Sequence, residues 1–247
     1  MSATTPGAPG NVRRGSRDYA PVIRAHLRDG ILRGDLLPGS QISQARIAAD
    51  FGVSRGPVRE AFRLLERDGL IDARVNHRAR VSGLSVDDLE HLYTLRVLNE
   101  CAALSVSVPS FTSNQLDELA ELAEVLKQTD ADSFDFETWD QIHQRFHLLL
   151  LAHSGSRMLR SAAEWAAHTQ RYRRAYVAGG RGLPQGAIEH AVLAQLCRDR
   201  DAQGAARLLA LHLSRAALTL ISQMAPTHEP VLLRTALRQV VGPDTLP

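Results

Sequence analysis

The chain has 247 residues, a formal net charge of +2, two cysteines and 44% hydrophobic residues. A prior of one domain per about 150 residues suggests two domains of modest size, and the apolar content is ample for buried cores. No apolar run approaches the ~18 residues of a membrane helix. Met1 to Ser16, rich in Gly, Pro, Ser and Thr, lacks the apolar core of a secretory signal. The expectation is a cytoplasmic protein without a membrane partner, with 1–16 as a disordered tail that carries Arg13 and Arg14, and Arg17 just after it. Cys101 and Cys197 fall inside apolar helical patterns and read as reduced, buried thiols.

In chain order, Ile23, Leu27, Ile31 and Leu32 recur at helical spacing, and Leu36-Leu37-Pro38-Gly39-Ser40 breaks the chain into a turn. A short helix over Gln44 to Phe51 follows. Gly52 then supplies a tight turn, Ser54 caps the next helix, and Pro57 lies in its first turn. That helix, Pro57 to Asp68, ends at Gly69. Arg55 and Arg59 are four residues apart and project from one face. Ile71 to Arg74 and Arg80 to Ser82 read as two strands flanking a basic hairpin tip, Val75-Asn76-His77-Arg78-Ala79. Helix, helix, recognition helix and two-stranded wing make a winged helix-turn-helix domain over 17–84. An arginine fork on such a helix can donate to O6 and N7 of a guanine in double-stranded DNA. On spacing alone a solvated helix face is the competing reading.

Charge favours DNA. Residues 11–84 carry fourteen arginines against eight acidic residues, a balance of +6, whereas 85–247 carry fifteen basic against nineteen acidic residues, a balance of −4. The mild total hides a basic half and an acidic half, which is an electrostatic footprint for phosphate confined to one domain.

After Ser85 the period changes to 3.6. Helices are expected near 86–107, 113–129, 133–153, 156–178, 185–200, 203–223 and 229–241, with Ser113 capping the second and a loop at Gly179–Pro184. Sequential helices with short loops form an all-α bundle, so the fold class is mainly α. His143 and His147 sit at i,i+4; His190 opens a later helix, and His212 lies in an apolar one. Four such histidines suit a divalent transition metal, or are packed core and surface residues; spacing leaves both open. Arg96 offers a carboxylate clamp, or an i,i+4 ion pair with Glu100. Arg171, Arg173 and Arg174 read as a solvated face, with one of them as a candidate to line a pocket, and Trp165, Tyr172 and Tyr176 as core.

Two sets of motifs resemble known families. Leu-Leu-Pro-Gly-Ser, Ile-Ala-Ala-Asp-Phe-Gly-Val-Ser-Arg-Gly-Pro-Val-Arg-Glu-Ala-Phe and Leu-Leu-Glu-Arg-Asp-Gly-Leu-Ile resemble the winged-helix domain of GntR-type transcription regulators. The resemblance implies operator contacts from Ser54, Arg55 and Arg59, with Arg46 on the preceding helix and a wing tip of Asn76, His77 and Arg78 in the minor groove. Ala45 stands where an arginine can occur, and Arg78 where a glycine is usual.

Leu-Tyr-Thr-Leu-Arg-Val-Leu-Asn-Glu, His-Gln-Arg-Phe-His-Leu-Leu-Leu-Leu-Ala-His-Ser-Gly and Ile-Glu-His-Ala-Val-Leu resemble the FCD effector domain of the FadR subfamily, over about 87–222. This implies a metal (Zn, Ni, Mn or similar) held by His143, His147, His190 and His212, with His143 standing where aspartate is usual and Asp140 a candidate beside it. It also implies a carboxylate or sugar-acid effector met by Arg96. The expectation is a ligand-responsive regulator, a repressor acting as a homodimer on a palindromic operator, with an effector and dimerisation domain over 85–224 and a C-terminal extension over 225–247. The alternatives are a metal-free dimerisation or apolar-ligand domain, or a metal-dependent hydrolase. No His-Glu-x-x-His or nucleophile-elbow pattern supports the hydrolase, so no enzyme is expected.

Overall fold

The computed structural model describes residues 19–72, 79–128, 134–177 and 182–242. The tail, with Arg13, Arg14 and Arg17, and the wing tip, with Asn76, His77 and Arg78, lie outside these. The chain divides into two compact units, Met1–Leu84 and Ser85–Pro247.

The first unit starts with α1, Tyr19–Arg33, which buries Ile23, Leu27, Ile31 and Leu32 along one face. Strand β1 is Gln41–Ile42, and α2, Gln44–Phe51, is capped at its start by the Ser43 hydroxyl, which accepts from the Arg46 amide. Gly52 closes α2 in the left-handed region at φ 63°, a conformation that costs a side chain about 1–2 kcal/mol. Helix α3, Arg55–Arg67, buries Val58, Ala61, Phe62 and Leu65, so its i, i+3, i+4, i+7 stripe faces α1 and α2. Strands β2, Ile71–Asp72, and β3, Ala79–Val81, complete a small antiparallel sheet in the order β1-β3-β2. The β1 edge escaped sequence reading because two residues carry no periodicity. Arg24 of α1 grips Asp68 at the end of α3 through two nitrogens, at 2.9 and 2.7 Å.

The second unit is all-helical among its described residues. Its helices are α4, Val86–Ser107; α5, Ser113–Lys127; α6, Phe136–Leu150; α7, Ser156–His168; α8, Gln170–Val177; α9, Leu183–Arg198; α10, Ala202–Met224; and α11, Val231–Val241. Helix α4 packs against α10, α11 and α7, while α5 packs against α9 and α6. By length and composition α10 would span a membrane, but half of its apolar window is buried inside the bundle, the mark of a core helix.

Three local expectations need correction. The single helix expected over 156–178 is two helices: Thr169 caps α7 and its hydroxyl bonds back to Ala166 O at 2.9 Å. Helix α5 is capped by Thr112, not Ser113, in a reciprocal capping box with Gln115. His190 lies in the middle of α9, because Pro184 and Gly182 set that helix's start seven residues earlier than the histidine. Cys101 and Cys197 are free and buried; burial pushes the Cys197 thiol up to about 12 and raises that of Cys101 further.

Candidate functional site

Three helices bring four histidines together. Helix α6 supplies His143 and His147 one turn apart, α9 supplies His190, and α10 supplies His212. Each offers a nitrogen, and these nitrogens all lie within 4.8 Å of one another. The rings touch: centroids of His143 and His147 are 4.4 Å apart, and those of His190 and His212 4.7 Å. His143, His190 and His212 line a cavity that is partly open to solvent.

The donor set fits a metal. Both ring nitrogens of His147 and of His190, and Nδ1 of His143, are buried without a hydrogen-bond partner. An unpartnered buried polar atom is costly, so five of them in one cluster call for an occupant. His212 Nδ1 instead sits 2.8 Å from Glu189 Oε2, leaving its other nitrogen for the cluster; a carboxylate behind a histidine is the usual means of fixing a ligating imidazole. Glu189 is itself held by Gln185 Nε2 at 2.9 Å and by an ion pair with Arg215. Four imidazole nitrogens this close would together hold one divalent transition metal ion. Burial, then mutual repulsion, holds His143, His147 and His190 well below the usual histidine range. Burial, then Arg96, lowers His212 to about 4. At neutral pH all four are neutral and present lone pairs.

The cavity wall is built from buried ion pairs. Arg96, 1% exposed, donates to Glu100 through Nε at 2.6 Å and Nη2 at 3.3 Å, and to Thr169 Oγ1 through Nη1 at 3.1 Å. The fork expected to clamp an effector is therefore engaged within the protein. Arg173, expected on a solvated face, is 4% exposed. It donates to Asp140 Oδ1 at 2.8 Å and to Ala166 O and Thr169 Oγ1 at 2.7 Å each, while its Nη2 is buried without a partner. Asp140 also accepts from Gln144 at 2.6 Å and lies outside the histidine cluster. Tyr176 lines the cavity and Tyr172 is buried core. Arg173 gave no sequence signal, because a run reading Gln-Arg-Tyr-Arg-Arg resembles a wet face. Glu189 gave a weak one, an acid beside a histidine in an apolar helix.

The DNA-facing candidates sit in the first unit. Arg55 and Arg59 are exposed on the face of α3 opposite its buried stripe, and Ser54 is the N-cap residue, its hydroxyl making no cap bond. Arg46 is exposed on α2, 3.9 Å from Asp50.

Comparison with known proteins agrees with this division. Residues 20–81 match the model of bacterial regulatory proteins of the gntR family, and residues 91–215 match the FCD domain. An uncharacterized HTH-type transcriptional regulator, YdhC of Bacillus subtilis (strain 168), is 30% identical over 138 residues, 56% of this chain and 62% of that one. The HTH-type transcriptional repressor GlaR of Escherichia coli (strain K12) is 26% identical over 136 residues, 54% of this chain and 62% of its own. A putative transcriptional regulator GntR from Rhodococcus sp. RHA1 shares the fold at a TM-score of 0.69 and 22% identity, covering 86% of this chain and all of that one. These domains are those of a transcription regulator and not of an enzyme: the FCD match spans half of the chain, which belongs to that family, and its first unit carries the gntR domain of bacterial regulatory proteins.

Proposed function

We propose that the protein is a repressor that binds a palindromic operator as a homodimer and releases or grips it in response to a small organic acid held in the α6–α9–α10 cavity. The observation that carries this reading is the cluster of His143, His147, His190 and His212, with its unpartnered nitrogens opening on a cavity. A divalent transition metal bound there supplies a Lewis-acidic centre for a carboxylate or sugar acid. The chain's own residues do the rest. Glu189 orients His212, Arg173 Nη2 is the donor left for the effector's anionic end, and Arg96 braces the same wall through Thr169. The repressor assignment draws on GlaR, whose name says as much.

In the first unit, Ser54, Arg55 and Arg59 meet base edges and Arg46 a phosphate, while the wing tip of Asn76, His77 and Arg78 reaches the adjacent groove. For the homodimer the support is an exposed apolar stripe along α4: Leu95, Leu98, Ala102 and Val106, at helical spacing. The unpartnered nitrogens speak against a metal-free, merely packed cluster.

Elemental analysis of tag-free protein beside His190→Ala tests the reading. We expect about one transition metal per chain in the wild type, with the variant losing it, since removing one of four ligands cuts affinity by orders of magnitude. No metal after incubation with Zn, Ni or Mn would reduce the helical unit to a dimerisation or apolar-ligand domain and leave the DNA-binding half of the reading standing.

A further inference from the structure

Helix α8 has one face on the cavity and another on the first turn of α4. Arg173, Tyr176 and Val177 line the cavity. Arg171 and Tyr172 do not line it; their side chains bond instead at the N-terminus of α4. The Tyr172 hydroxyl donates to Asp88 Oδ2 at 2.7 Å, accepts from the Ser85 amide at 3.3 Å and lies 3.2 Å from Ser85 O. Arg171 Nη2 donates to the same Asp88 oxygen at 3.0 Å. Ser85 is the N-cap of α4, its hydroxyl accepting from the Asp88 amide at 3.3 Å. It is also the first residue of the helical unit, joined by one peptide bond to the last residue of the winged-helix unit.

The cavity side of α8 is tied to the histidines. Asp140, His143 and His147 occupy successive turns of α6, and Asp140 holds Arg173 Nε at 2.8 Å. Of the eight residues of α8 only Tyr172, Arg173 and Val177 are buried. The helix is therefore anchored mainly by directional polar bonds, which weaken steeply when displaced. A cation held by the imidazoles would act on Arg173 by two routes, through Asp140 on the same helix α6 and through its own positive charge.

We propose that α8 couples the cavity to the domain junction, with Tyr172 as the positioning residue that sets Ser85 and Asp88 according to whether the site is filled. The proposal rests on the reading of the four histidines as a metal site. Its test is hydrogen exchange on the full chain, stripped with chelator and reloaded with Zn(II) alone. Loading should change exchange of the amides at 85–88 by about tenfold, the equivalent of one hydrogen bond. The amides of Leu232 and Leu233, held by Glu90 of the same helix α4 at 2.7 and 3.3 Å, serve as an internal control and should not change.

Tyr172→Phe should take up zinc at the wild-type stoichiometry and lose the response at 85–88. Asp88→Asn, which keeps the backbone cap and weakens the tyrosine's acceptor, should reduce that response, and it decides the matter if the phenylalanine variant fails to fold. Zinc-loaded wild type with unchanged exchange at 85–88, or a phenylalanine variant that responds in full, overturns the coupling and leaves the metal site intact. Absence of zinc uptake by the wild type overturns both.

Discussion

The two units use arginine in opposite ways. In the winged helix Arg46, Arg55 and Arg59 stand in solvent, in a half of the chain with a surplus of positive charge. In the helical unit Arg96 and Arg173 are buried, each facing a carboxylate, in a half with a surplus of acid. A solvated guanidinium keeps its donors for a phosphate or a base, whereas a buried one must spend them on the protein's own acids and carbonyls. On the proposed reading the same side chain recognises DNA in one unit and is scaffolding in the other, and burial decides which.

The largest effect that follows is on stability. Arg173→Ala leaves the Asp140 carboxylate buried and short of its partner, which costs about 3–5 kcal/mol. Arg59→Ala, on an exposed helix face, should change stability by no more than about 0.5 kcal/mol. Urea unfolding of both variants tests the contrast; equal midpoints would mean that the cavity wall is wet and that the two arginine classes are one.

The second effect is on recognition. Arg59→Ala should cost about 1–3 kcal/mol of discrimination between operator and random DNA. Titration of both DNAs at one salt concentration measures it, and an unchanged ratio of affinities would remove Arg59 from base reading.

How much of this contrast was legible beforehand differs between the units. Gly52, Pro57 and Gly69 are turn and cap residues with a fixed local meaning, and the helices they bound came out within a residue or two. The bounds of α4 were read without error, because Ser85 as cap and a helical period sustained over 22 residues leave little choice. What failed was whatever depends on partners far along the chain. Thr169 breaks a helix that its own periodicity would continue, since its hydroxyl is claimed by Ala166 O and by two arginines. Arg173 has the local look of a surface residue and is buried because Asp140, 33 residues earlier, lies opposite. The four histidines could be picked out one by one, yet only the packing of α6, α9 and α10 brings their nitrogens together.

A third test extends the comparison to a buried acid. Glu90 of α4 accepts from the Leu232 and Leu233 amides at the start of α11 and from His228 Nε2 at 2.7 Å. Burial raises its pKa, but the bonds from His228, Leu233 and Leu232 outweigh this and leave it below the usual carboxylate value. A depressed folded pKa means stability present above the unfolded value, about 4.3, and lost as pH falls through the folded one. Glu90→Gln should cost about 1–2 kcal/mol at neutral pH and flatten the acid limb of the stability profile. An unaltered acid limb would show that α11 is held by Leu233, Ala236 and Leu237 alone.

Arg46 carries the smallest expected effect and is the sharpest check on how recognition is divided within the winged helix. It sits on α2, outside the recognition helix, and its ion pair with Asp50 is long, at 3.9 Å, and half-exposed. Such pairs contribute little, so the guanidinium is available to a phosphate at almost no cost. A phosphate contact carries no sequence information. Arg46→Ala should therefore weaken operator and random DNA alike and reduce the slope of log affinity against log salt by about one. Were Arg46→Ala instead to weaken the operator alone, α2 would be reading bases, and the assignment of sequence to α3 and affinity to its neighbours would have to be redrawn.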